Sequence, residues 1–239
     1  LGSNNWFLKQ NVVVFKRCCN YREYNVEADM KNIVLIGATG NIGSRILAEA
    51  LSRGFPVTAV ARDTAKLASR NGLRVVKGDA LRPEAFAEVL RGADALVGAL
   101  SPSFTDPKPF VEANKALARA VAEYGVGRFI VVGGASTTLN EKGVRLFDTG
   151  AFPPEWKPYL QAHVDTLDFL KESKIAWTYF SPAMTIEAGI RTGVYRAGGN
   201  AMLKDAAGNS RISYEDYAAA LVDELESGAN IHAHFTAAY

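Results

Sequence analysis

The sequence is poor in the residues that build covalent or metal scaffolds. Its two cysteines are adjacent, Cys18 and Cys19, which cannot supply a disulfide framework. Three histidines, none spaced with acidic or thiol partners, leave no metal signature. No apolar stretch reaches the roughly 20 residues that a membrane-spanning helix needs. Charge of one sign is lacking too: 27 basic and 25 acidic side chains give a formal +2, spread along the chain, so no nucleic-acid partner is implied. Such cysteine usage suits a reducing cytoplasm.

What is present is an ordinary globular composition, 48% hydrophobic and 22% charged over 239 residues, enough for one sizeable α/β domain. Residues 1–29 carry neither a long apolar signal core nor a small-residue cleavage site. Met30 reads as the natural start, with 1–29 a leader or extension and 30–239 the domain. The competing reading takes "NVVVF" as an edge strand that pairs with the body.

From Lys31 short β-branched runs alternate with longer amphipathic segments, the rhythm of a Rossmann-like, doubly wound parallel sheet. Strands are expected at "NIVLIG", "PVTAVA", "LRVVKG", "DALVGAL", "RFIVVGG" and "AWTYFSP", with a last one in "HAHFTAAY". One helix presents Ile42, Ile46, Leu47, Ala50 and Leu51 on one face and ends at Gly54. A second opens with Asp106 as N-cap and Pro107 in its first turn and stops at Gly125; "PEAFAEVLRG" and "SYEDYAAALVDELESG" end likewise. Residues 134–157 and 183–210 are rich in Gly, Pro, Asn and Thr. They follow the fifth and sixth strands, where an open parallel sheet binds ligands, and are expected to line a substrate pocket.

The stretch "VLIGATGNIGSR" places Gly37, Gly40 and Gly43 between a strand and a helix. A helix start offers unpaired N–H groups and a partial positive charge to a phosphate. Gly37 suits the tight turn, Gly40 close approach of a pyrophosphate, and Gly43 close helix–strand packing; Thr39, Asn41 and Ile42 complete the expected contacts. The bland alternative is a tight connection with no ligand, but the strand–loop–helix context favours a dinucleotide. Arg62 lies about 20 residues past the loop, at the end of the second strand, where an arginine accepts the 2′-phosphate of NADP and an acid would select NAD. NADP(H) is therefore favoured over NAD(H), although an inward Asp63 would reverse the choice.

"GATGNIG", "VARD", "VKGDA" and "GGAS" together resemble the atypical short-chain dehydrogenase/reductases of the NmrA-like NAD(P)-binding group. "RTGVYRAGG" and "GNSRISYEDYAAALVDELE" look more narrowly like its bacterial NADH-flavin reductases, and the resemblance spans Met30–Tyr239. It implies that Asp79 and Ala80 contact the adenine edge and that Ala99, Leu100 and Ser101 flank the adenosine ribose; Asp79 could equally cap "LRPEAF". Gly134 and Pro182, after the fifth and sixth strands, complete the expected cofactor contacts. Ser136 matches the family's catalytic serine.

Carbonyl-reducing members use a Tyr whose pKa is lowered by a Lys one turn later. Here Tyr159 is followed by His163, not Lys, and a neutral histidine cannot serve. Ser136, Tyr159 and His163 are the catalytic candidates. Hydride transfer to a flavin needs aligned rings more than a strong acid. Phe147, Phe152, Trp156, Met184 and Tyr195 form either a stacking wall for an isoalloxazine or quinone, or loop packing. The leading expectation is an NAD(P)H-dependent reductase of a flavin or quinone, acting alone or as a homodimer. A non-catalytic NADP(H)-binding redox sensor is the alternative, and an isomerase, epimerase or dehydratase ranks last.

Overall fold

The computed structural model describes residues 32–239 and the backbone of Val13–Val14; Met30 and the rest of the leader lie outside the described residues. The strands are β1 (Val13–Val14), β2 (Ile33–Ile36), β3 (Val57–Ala61), β4 (Leu73–Lys77), β5 (Ala95–Gly98), β6 (Phe129–Val132), β7 (Trp177–Ser181), β8 (Thr185–Glu187), β9 (Arg196–Gly198), β10 (Arg211–Ser213) and β11 (Ala233–Ala238). The helices are α1 (Asn41–Ser52), α2 (Ala87–Leu90), α3 (Lys108–Tyr124), α4 (Lys157–Lys171) and α5 (Tyr214–Ser227).

One sheet runs β1-β9-β11-β7-β6-β5-β2-β3-β4, parallel from β11 to β4 and antiparallel at β9 and β1. The expected doubly wound fold is thus present. Every residue of β2, β5 and β6 is buried, as continuous apolar strands covered on both faces should be. Helices α1 and α5 cover one face, where Ile46, Leu47 and Leu221 bury against Ile33, Leu35 and Val97. Helices α2, α3 and α4 cover the other, with Leu117, Leu167 and Leu170 against Val34, Leu96 and Phe129. Each such buried aliphatic side chain contributes about 1.5–3 kcal/mol. Among the described residues no helix is long and apolar enough to cross a membrane.

Some boundaries differ from expectation. Helix α3 begins at Lys108 rather than at Pro107, although the Asp106 carboxylate still accepts from Lys108 N at 3.3 Å. "PEAFAEVLRG" splits into a 3-10 turn (Pro83–Phe86) and the single turn of α2. Val13–Val14 does pair as an edge strand, against Arg196–Ala197.

Residues 183–210 hold two short strands, β8 and β9, and β10 follows directly after them. β8 and β10 pair in a separate two-stranded sheet, and the segment between β8 and β9 straps α1 to α5. Arg191 donates to both oxygens of Glu49 at 2.7 Å. The buried Asp216 carboxylate accepts from Thr192 N, Gly193 N, Thr192 Oγ1 and Tyr239 Oη. Helix α5 itself is capped by Ser213, which accepts from Asp216 N at 3.0 Å, and stops at Gly228 in the left-handed region.

Candidate functional site: a dinucleotide cleft at the strand ends

β2 pairs with β3 on one side and β5 on the other, and the helices that follow β2 and β5 lie on opposite faces of the sheet. A crevice must open at the carboxyl ends of these strands. The glycine loop fills its floor, and the three glycines differ in what requires them. Gly37 has φ +86°, and a Cβ there would meet Ala99 O at 2.2 Å. A Cβ on Gly43 would meet Gly37 O at 2.1 Å. Gly40 is different: its only neighbour would be Gly37 O at 3.4 Å, and its φ of −80° with ψ 171° suits any residue. Among the described residues nothing sterically requires glycine at Gly40, so the open space beside it fits a ligand that comes close to the backbone. Gly40 is also the N-cap of α1 and makes no side-chain cap, which leaves the first-turn N–H groups of Asn41, Ile42 and Gly43 without intrahelical acceptors.

From this floor a cleft of about 290 Å³ runs toward β3 and β4, lined by Gly37, Thr39, Arg62, Asp79, Ala80, Leu100 and Ser101 among others. The structure therefore brings most of the expected adenosine-end residues together. Ala99 sits at the back of the loop, its carbonyl against Gly37. Asp63 lines the cleft beside Arg62, and its carboxylate accepts from Ala65 N at 3.1 Å and faces Lys66 Nζ at 4.0 Å. Arg62 makes no ion pair among the described residues, so the Arg62–Asp63 surface pair does not form. Asp79 accepts from Leu81 N at 3.0 Å, capping the turn while it also lines the cleft. Lys66 lines it as well and was missed in the sequence; its place four residues after Arg62, on the turn that Asp63 caps, was the available hint.

At the other end, beyond β6 and β7, Gly134 carries no side chain because the ring of His163 lies against it; a Cβ would sit 2.7 Å from His163 Cγ. Pro182 is buried directly after β7. Ser136 is 2% exposed, and its Oγ has no hydrogen-bond partner among the described residues, a state that costs about 1–3 kcal/mol until something pairs with it. Beside it, Thr137 Oγ1 and Ser181 Oγ meet at 2.8 Å, and both reach His234 Nε2.

His163 needs correction. It is buried, its Nδ1 is 3.2 Å from Tyr179 Oη, and burial pulls its pKa down to about 4. A neutral imidazole does not place beside Tyr159 the positive charge that a lysine would. Helix α4 buries Leu160, His163, Leu167 and Leu170, an apolar stripe whose spacing already pointed inward. Tyr159 lies at the surface end of that helix, with its hydroxyl 3.3 Å from Ser101 Oγ and its ring stacked on Phe104.

The expected aromatic wall also divides. Tyr195 is 3% exposed and gives its hydroxyl to Asp223 on the α5 face. Phe147 and Phe152 line a separate cavity of about 500 Å³ with Lys157 and Leu160. Met184 is exposed next to β8. Trp156 stays exposed, its ring edge-on to that of Phe104.

With this geometry in place, residues 37–227 match the model of the NAD(P)H-binding family. The chain belongs to that family. The protein YwnB of Bacillus subtilis is 36% identical over 208 residues, covering 85% of this chain and 96% of its own. A Bacteroides thetaiotaomicron protein provisionally named an epimerase has a structure that superposes with TM-score 0.81 at 42% identity, covering 88% of this chain and 97% of that one. A Streptococcus pneumoniae protein provisionally named an NADH-flavin reductase gives 0.78 at 33% identity, covering 87% and 99%. Membership in the NAD(P)H-binding family agrees with the short-chain dehydrogenase/reductase resemblance of the sequence motifs.

Proposed function

We propose that the protein is an NADPH-dependent reductase that delivers hydride to a planar flavin or quinone. The observation that carries the acceptor class is that the residue one turn after Tyr159 on α4 is the buried His163, its ring edge-on to the phenol at 5.5 Å, where carbonyl-reducing enzymes place a lysine. With no charged group to assist a phenol, the site favours an acceptor that needs no protein acid. The first-turn N–H groups of α1 would hold the pyrophosphate, Gly40 would admit it, and Arg62 with Lys66 would meet the 2′-phosphate, with the Asp63 carboxylate beside them held by Ala65 N–H. Gly134 and Pro182 flank the nicotinamide end, and the unpaired Ser136 hydroxyl supplies a hydrogen bond there.

When bound, the reduced dinucleotide supplies a hydride, two electrons that leave it as NADP⁺ and turn an oxidised flavin or quinone into its reduced form with one proton from water. The chain's part is to orient the two rings and narrow the distance between them. The name of the Streptococcus pneumoniae relative supports the flavin class. The test is to follow loss of reduced-nicotinamide absorbance with FMN, riboflavin and a small quinone, using NADPH and NADH, against a protein-free background. Catalysed loss that saturates with acceptor and prefers NADPH is expected; no loss with any acceptor overturns the reading.

A further inference from the structure

The loop after β5 reads "SPSFTDP", polar and turn-forming except for Phe104. That phenylalanine is 59% exposed, although a large apolar ring gains by burial. Its ring is held by two others. It stacks on Tyr159 at 4.3 Å with 8° between planes, and meets Trp156, itself 43% exposed, at 6.0 Å and 67°. The slab continues into the dinucleotide cleft, because the Tyr159 hydroxyl touches Ser101, which lines it. On its other side the Tyr159 ring meets His163 edge-on at 5.5 Å, and the His163 ring lies against Gly134, so the two exposed aromatic planes, angled to each other, neighbour the end proposed for the nicotinamide. An offset-stacked or edge-on partner is what such planes prefer.

We infer that Phe104 and Trp156, backed by Tyr159, form the binding corner for the acceptor's ring, and that the acceptor is a flat fused or quinoid ring rather than a small aliphatic carbonyl. This rests on the reductase reading above, and the two can fail separately. The test is steady-state reduction of menadione and FMN by Phe104→Leu, Trp156→Leu and Phe104→Trp proteins, each checked for folding by circular dichroism.

The leucine variants should raise acceptor KM about three- to tenfold while NADPH KM stays within about twofold, and Phe104→Trp should restore the acceptor KM. Unchanged acceptor KM in Phe104→Leu and Trp156→Leu, with the natural chain turning over, overturns the corner and leaves the reductase reading intact. If the natural chain turns over no acceptor, the reductase reading falls, and quenching of FMN fluorescence on titration with protein decides the corner alone. Quenching lost in Phe104→Leu upholds it, and no quenching by the natural chain overturns it.

Discussion

Replacing Gly40 by alanine separates what the fold requires from what a ligand requires. At this position the backbone is extended, and the new Cβ would find only Gly37 O, at 3.4 Å. An alanine N-cap is worse than glycine by up to about 1 kcal/mol, and the reduced freedom of the unfolded chain returns about 0.4–1 kcal/mol. The net change should be within about 0.5 kcal/mol, a shift of no more than roughly 2 °C in Tm for a chain of this size. The methyl would nevertheless stand where the pyrophosphate approaches. Overpacking costs about 1–3 kcal/mol, so NADPH should bind roughly 5- to 150-fold more weakly.

Gly43→Ala is the contrasting variant. Its Cβ would meet backbone atoms only, Gly37 O at 2.1 Å and Gly37 C at 2.8 Å, so α1 must move off the loop. It should lower stability by about 2 kcal/mol or more, roughly 4–8 °C in Tm. Thermal melts of the ligand-free proteins and calorimetric titration with NADPH read both quantities. An unaltered NADPH Kd in Gly40→Ala, or a melting point that falls as far as that of Gly43→Ala, would refute the reasoning.

Further expectations concern charge. Arg62→Ala should weaken NADPH about tenfold or more and leave NADH nearly unchanged, a charge-assisted contact being worth about 1.5–3 kcal/mol; equal losses for both would remove Arg62 from the 2′-phosphate. The buried His163 and the half-buried His234, each held near pKa 4 chiefly by burial, refuse protons that the unfolded chain accepts near 6.5. Stability should therefore be fully present above about pH 6.5 and fall toward pH 4, by about 1.4 kcal/mol per pH unit for each histidine. Urea melts from pH 7 to 4.5 check this, and a flat profile would contradict it. Arg191→Ala removes the strap's bidentate hold on Glu49 and should lower Tm by roughly 2–6 °C with NADPH affinity intact; weaker NADPH binding would tie the strap to the cleft.

The parallel core was legible because each strand is an apolar run ended by a turn signal, and the glycine loop because its neighbours are a strand and a helix. What escaped was set by tertiary direction. β8, β9 and β10 have three residues each, too few for a periodic pattern, and β9 finds its partners in β11 and β1, far from it in sequence. Tyr195 reads as a pocket aromatic until Asp223 is seen to hold its hydroxyl. His163 was legible as core from its stripe with Leu160, Leu167 and Leu170, but its spacing from Tyr159 drew attention first. Phe104 was visible as the one large apolar residue of a turn-rich loop, and its importance rests on a stacking partner more than 50 positions away.

The most direct test of the account is a single turnover: protein loaded with one equivalent of NADPH is mixed rapidly with excess FMN or menadione, and nicotinamide absorbance is followed. The account requires loss of the bound NADPH faster than in protein-free solution, at a rate that saturates with acceptor. Bound NADPH that persists through the mixing would contradict it, and would leave a protein that holds the dinucleotide without spending it.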